Sequence, residues 1–219
     1  MKQRILISLT VAALTCTPAF AQSTSGSSTT STNTNSPNVS SFFNSLAGEW
    51  DGQVITTKDG RTSSSQVNAS NHVERDGGQF ASCFEGFSFG QPFQGGSVFS
   101  SQNGKFFFAS TDSMNTEPCR GSFTVNSKGW TCTFERTDKA GKATKFEQVT
   151  TIVNNDNYTV ECFSFDSNGR KHEVMVMDMN RMPAGQKSEA ANTFATSPML
   201  AKARQTLANS AQATVDDSH

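Results

Sequence analysis

The stretch Asn126-Ser127-Lys128-Gly129-Trp130-Thr131-Cys132-Thr133-Phe134-Glu135 decides the fold. It opens on four turn-forming residues and runs on as strict alternation. Trp130, Cys132 and Phe134 share one face, and Thr131, Thr133 and Glu135 share the other. A period of two with one apolar face marks a strand buried on one side only. Tyr158, Val160 and Cys162 repeat the pattern, alternating with Thr159 and Glu161.

Working outward, Gly, Asn, Asp and Ser punctuate residues 42–182 at short intervals. The spacing predicts turns at Lys58-Asp59-Gly60, Arg75-Asp76-Gly77-Gly78, Gln94-Gly95-Gly96 and Gln102-Asn103-Gly104. Further turns are predicted at Asn126–Gly129, Lys139-Ala140-Gly141, Asn154-Asn155-Asp156-Asn157 and Ser167-Asn168-Gly169. Asn-Gly and Asp-Gly tolerate positive φ and suit hairpin loops. Turns this regular predict an all-β, up-and-down antiparallel sheet of about 8–10 strands without crossover helices. Open edges invite pairing with other chains, so the sheet is expected to close into a single barrel. Of the 18 Phe, 14 lie between Phe80 and Phe165, which puts the aromatic mass in the barrel. The stretch Phe84–Phe99 mixes Phe with glycines and Pro92, which predicts bends or bulges at a barrel corner or a loop over its mouth.

The two ends read differently. Lys2 and Arg4 precede the apolar stretch Ile5–Leu14 and the small-x-small site Ala19-Phe20-Ala21, the layout of a signal peptide over residues 1–21. The apolar stretch is too short to span a bilayer, which takes about 20 apolar residues. The expected location is therefore periplasmic or secreted, with no transmembrane segment. Cys16 follows a poor lipobox, Ala13-Leu14-Thr15. Residues 22–41, dominated by Ser, Thr and Asn, form an expected flexible linker. The barrel domain is assigned to 42–182 and a partly helical tail to 183–219. In that tail Met199, Leu200, Ala203 and Leu207 have helical spacing after Pro198, a favourable first helical residue. The tail is expected to dock weakly, so that its deletion leaves the barrel folded.

Removing Lys2 and Arg4 with the leader takes the net charge from −1 to −3. No basic run or aromatic-basic stripe is present, which argues against a nucleic-acid partner.

Gly48-x-Trp50 after Phe42, Phe43 and Leu46, with a basic Arg181 at the end of the last strand, resembles the opening and closing of the lipocalin and calycin superfamily. The resemblance implies that Trp50 fills the closed end and that Arg181 packs across it. Leu46-Ala47-Gly48-Glu49-Trp50, Ala109–Met114 and Val174–Arg181 further resemble a family of uncharacterised bacterial exported domains within that superfamily. No second lipocalin motif around Thr-Asp-Tyr is present, so the ligands of transport lipocalins do not carry over.

Four cysteines remain after the leader: Cys83, Cys119, Cys132 and Cys162. In an exported protein an even count invites two disulfides. Strand register supports no simple pairing: Cys119 falls about 13 Å along the strand from the partner of Cys132, and Cys132 and Cys162 stand about 9.6 Å apart across Val149. The alternative is four buried thiols. No C-x-x-C spacing supports zinc, and no Gly-x-Ser-x-Gly elbow supports a serine hydrolase. Met175, Met177 and Met179 share a strand face after His172. That face could hold Cu(I) or, more simply, line a cavity. His72 or His172 could serve as a haem ligand. No resident cofactor or metal is assigned.

Glu85, Glu117, Arg120, Arg136, Lys145, Glu147 and Glu161 are assigned to the solvated outer face. Asp112 shares parity with Phe108 and Ser110 and is expected inside, paired with Arg120. Two functional readings follow. In the first, the barrel binds a small apolar or amphipathic ligand, lined by Phe84, Phe106, Phe108, Asp112, Trp130, Phe134, Val160, Met175 and Met177 over the Trp50 floor. In the second, a filled barrel serves protein contact at the cell envelope. No catalytic constellation emerges, which leaves an enzyme third. An interior space of about 300 Å³ or more separates the first reading from the second.

Overall fold

A computed structural model describes residues 39–74, 78–102, 104–115, 117–137 and 141–216, with only the backbone at Gln102 and 211–216. The leader, most of the linker and the turns expected at 75–77, Asn103 and 139–140 lie outside the described residues.

Ten strands form one closed antiparallel barrel. They are β1 (Gly48–Lys58), β2 (Arg61–Glu74), β3 (Gln79–Ser88), β4 (Gln91–Gln102), β5 (Lys105–Asp112), β6 (Cys119–Asn126), β7 (Gly129–Thr137), β8 (Ala143–Asn154), β9 (Asn157–Phe165) and β10 (Lys171–Arg181). Each strand pairs with its sequence neighbours, and β1 closes on β10 from Trp50↔Arg181 to Thr56↔Met175. Closure satisfies the edge backbone groups that an open meander would leave unpaired. Because the chain meanders, alternate turns collect at opposite ends. The β1–β2, β3–β4, β5–β6 and β9–β10 connections share one end, here called the mouth. The start of β1 and the end of β10 share the other, the floor.

The floor is built around a short helix, α1 (Val39–Leu46), whose buried Val39, Phe43 and Leu46 recur at i, i+4 and i+7. The apolar lead-in before Gly48 is thus helical, an element the reading of these residues as linker and lead-in did not foresee. A helix C-terminus leaves carbonyls without intrahelical partners, and here the barrel supplies the donors. Trp50 Nε1 and Asn71 Nδ2 both donate to Leu46 O, at 2.9 and 3.2 Å. Arg181 Nη1 donates to Ala47 O at 2.8 Å and Nη2 to Ser45 O. The same guanidinium lies 4.2 Å from the Trp50 ring centre. Gly48 is needed at this crossing: its φ is +126°, and a Cβ would meet Arg181 Nη1 at 2.9 Å.

Two expectations about the middle of the barrel are corrected. Gln94-Gly95-Gly96 is not a turn but the interior of β4, paired to β3 and β5 on either side. The Phe84–Phe99 stretch carries no bulge; β3 and β4 form a regular hairpin through Phe89 and Gly90, both at positive φ (49° and 75°). Positive φ at both central residues matches the twist of the flanking strands. The paired glycines make room on both faces of the wall. A Cβ on Gly95 would strike the Phe84 ring at 2.1 Å, and one on Gly96 would strike Leu200 N at 2.6 Å.

Leu200 belongs to α3 (Pro198–Asp216), which follows α2 (Glu189–Thr193) and a 3₁₀ turn at Phe194–Thr196. Ser188 caps α2 by accepting from Ala191 N, and Ser197 Oγ accepts from Leu200 N in α3. Leu200, Ala203 and Leu207 are buried against Ala81, Cys83, Val98 and Ala109 on the outer wall. Glu49 Oε2 accepts from Ser188 Oγ, and Arg204 pairs with Glu74. The tail is therefore firmly docked rather than weakly attached. The alternation of β3–β5 hides this, because their outward positions are also apolar.

Two outcomes are expected. Arg181→Met should cost about 2–4 kcal/mol in urea unfolding, since it removes the ring contact and orphans two partly buried carbonyls. Arg181→Lys should not restore stability, because an ammonium cannot reach both carbonyls and the ring at once. Gly96→Val should release α3, seen as faster proteolysis of the tail; unchanged protection would refute the docking.

Candidate functional site

Above the floor lies a cavity of about 320 Å³. It reaches from Leu46 and Trp130 at the closed end to Met114 and Asn115 at the mouth. The closed end is a packed aromatic cluster. Phe43 stacks on Phe80 at 5.2 Å, and Trp130 meets Phe43, Phe80, Phe99 and Phe123 at 5.3–6.3 Å. Such ring pairs add to area burial and narrow the space near the floor.

Phe84, Asp112, Trp130, Phe134, Val160, Met175 and Met177 line the cavity. Three other residues assigned to the lining do not. Trp50 is fully buried beneath it, edge-on to Tyr158 at 4.7 Å. Phe106 packs on Phe123 at 5.1 Å, and Phe108 is held between Phe99 and Phe134. All three face inward, but neighbouring rings cover them.

Asp112 also needs correction. Its partner is Arg136, at 2.8 Å. Arg120 lies on the opposite face of β6 and reaches Ser210 Oγ on α3 at 3.5 Å. Arg136 shares inward parity with Trp130, Cys132 and Phe134, so it lines the cavity rather than the outer surface. Asp112 additionally accepts from Met114 N and Asn115 N at 3.0 and 2.9 Å, which pins the β5–β6 loop over the mouth.

His72 and His172 both face away from the cavity. His72 stacks on Phe194 of the tail at 3.9 Å, and His172 pairs with Asp166 at 3.1 Å. Met175, Met177 and Met179 do line the cavity, but without a histidine among them. Neither a Met/His copper site nor a His-ligated haem is assembled from these residues.

The four cysteines are free and buried, so the disulfide reading does not hold. Cys83 faces outward under α3, on the far side of the wall from the other three. Cys132 and Cys162 both sit opposite Gln148, one strand on either side of it. Two strand spacings, about 9.6 Å, exceed the reach of a disulfide. Burial pushes the Cys132 thiol well up and that of Cys162 to about 11; Arg136 pulls Cys162 down only in part. Burial likewise raises Cys119, whose sulfur accepts from Arg136 Nη2 at 3.7 Å. Thiols held protonated in this way are poor nucleophiles.

Several lining residues escaped the sequence reading, chiefly Asn71, Ser82, Ser97, Ser110 and Tyr158. They share a level. Asn71 stands opposite Ser82, Ser82 opposite Ser97, Ser97 opposite Ser110, and Ser110 opposite Cys119. Placing the β3–β4 turn at Phe89-Gly90 would have put Ser82 and Ser97 side by side. Burial pushes the Tyr158 hydroxyl up to about 12, with Asn71 and then Arg181 easing it slightly.

Alkylation of the native protein at pH 8 should be slow at all four sites. In denaturant without reductant, all four should react at once; recovery of only two or none would restore a disulfide.

A family model described as "Protein of unknown function (DUF1579)" matches residues 38–181. No curated protein matches the chain. Among solved structures, the chain is similar to Rv2717c from M. tuberculosis (12% identity, TM-score 0.49), over 67% of this chain and 98% of that one. It is also similar to the S-type phycobiliprotein lyase CPES from Guillardia theta (10% identity, TM-score 0.44, 67% and 93% covered). A third is a de novo designed fluorescence-activating β-barrel (16% identity, TM-score 0.36, 64% and 95% covered).

Proposed function

This chain belongs to the DUF1579 family, and we propose that it is a binding barrel holding one small apolar or amphipathic molecule above its floor. The observation that carries this reading is the cavity of about 320 Å³. It falls within the size range of small-molecule sites, and its mix of apolar walls with a few convergent polar groups is typical of them. Mid-strand residues that face inward, among them Phe84, Phe146, Met175 and Met177, are only half buried. In a filled barrel such side chains would be covered, so the reading as a solid interaction core loses ground.

The wall composition sets the ligand's character. Met175, Met177 and Val174 on β10, with Val160 on β9, make an apolar side that thioethers can reshape around different outlines. Arg136 is tied to Asp112. A ligand held mainly by apolar contact fits this interior better than an ionic one. We further propose that residues 1–21 are removed on export, so that binding takes place in the periplasm or outside the cell.

Native mass spectrometry of the protein purified from its own source should show a co-purifying small molecule. Nile red should bind the wild type and lose at least tenfold in affinity in Met177→Trp, which fills the space. A protein that binds no apolar dye and carries no small molecule would end the proposal. N-terminal sequencing should begin at Gln22; a retained leader would end the export reading.

A further inference from the structure

We infer that the row Asn71–Ser82–Ser97–Ser110 is a recognition wall, and that the ligand is a rigid, neutral molecule carrying hydroxyl or carbonyl oxygens along one edge. This rests on the binding reading above and narrows its ligand class. The four residues sit on β2, β3, β4 and β5 at one level of the ladder. All of them line the cavity. Adjacent strands are about 4.8 Å apart, so the row presents polar atoms at that interval across about 14 Å of wall. The side chains are small, and the row therefore stands back from the cavity axis while the rings above and below it project. A flat edge could lie in the recess.

The hydrogen-bonding capacity along the row is only partly used. Ser97 Oγ donates to Ser110 Oγ at 2.8 Å, which leaves the Ser110 proton free to donate and Ser97 free to accept. Asn71 gives its Nδ2 to Leu46 O and lies beside the Tyr158 hydroxyl, while its Oδ1 has no partner in hydrogen-bonding geometry although the residue is only 3% exposed. A buried acceptor without a donor is costly, and a ligand hydroxyl would supply one. Facing this row across the barrel are Val160, Met175 and Met177, which offer only apolar contact. Gln148, Thr150 and Tyr158 add polar groups on β8 and β9, but the Asn71–Ser110 row is distinct in holding small polar side chains side by side on four successive strands.

Charge completes the specification. Among the described residues Arg136 is the cation lining the cavity, and Asp112 lines it as its counter-ion at 2.8 Å. An anionic head would have to displace Asp112, which also holds Met114 N and Asn115 N. A linear amphiphile with one terminal head would leave most of the row unpaired. A fused-ring compound with oxygens about 5 Å apart along one side would not.

Competition against Nile red with flavone and quercetin at pH 6 tests this, since the two share a skeleton and differ in hydroxyl groups. Quercetin should compete about tenfold more tightly, the worth of two or so net hydrogen bonds. In Ser97→Ala/Ser110→Ala the ratio should fall toward one; this variant removes two oxygens and adds no volume, and circular dichroism checks its fold. If Nile red binds but the ratio is near one in the wild type, or survives the substitution, the recognition wall is wrong and the binding barrel stands. If neither Nile red nor either flavonoid binds, the binding barrel itself is wrong and the inference falls with it. Tighter competition by dodecanoate than by quercetin would overturn the neutral ligand class.

Discussion

Arg181 is the side chain on which the closed end depends. Its guanidinium does three things at once: it covers the Trp50 ring, satisfies the terminal carbonyls of α1, and sits on the strand that closes the barrel against β1. Each contact makes the others worthwhile. The helix can be buried across the barrel end only if its carbonyls find donors. The ring contact gains strength because the helix excludes water from it. The closing strand pair is held in register by the same residue that caps the helix. With the end sealed, the aromatic cluster from Phe43 to Phe123 packs against α1, and the cavity lies above it, bordered by Phe80, Phe99 and Trp130.

That placement of the cavity is what gives the interior its chemistry. Bulky rings occupy the lower half, so the cavity begins where the inward residues become small or flexible. On β2–β5 they are Asn and Ser, on β10 they are Met, and at the rim they are the Asp112–Arg136 pair. None of these groups forms a reacting set with a neighbour. Among the described residues the four cysteine thiols are buried, and His72 and His172 are outside. What the walls offer is shape, soft contact and a line of hydrogen-bonding groups.

Much of the barrel was legible in the sequence because it is encoded locally. Turn residues and period-two alternation need no knowledge of distant contacts, and Trp130, Cys132 and Phe134 declared their shared face by parity alone. The cavity was legible only where the inward residue was apolar or aromatic. Ser110 was placed inward only by its parity with Phe108, Ser82 and Ser97 carried no signal of their own, and only the register of three strands shows that they form a row. Arg136 was misplaced for the same reason, since a charged residue on a half-buried strand is normally on the wet side. The tail was misjudged because the outward positions that α3 covers, Ala81, Cys83, Val98 and Ala109, are small and apolar like parts of the inner face, which a pattern of alternation cannot express. The α1 helix was missed because its three buried residues straddle the change from polar spacer to first strand.

The adjacent glycines of β4 tie the inside of the barrel to its outside. At Gly95 the inner face of the wall gives way to the Phe84 ring, and at Gly96 the outer face gives way to the backbone of α3. The partition between the cavity and the docked tail is here a single peptide thick. The tail consequently acts as a brace. The position of Leu200 limits how far β4 can bow outward at Gly96, and so how far the cavity wall can move there.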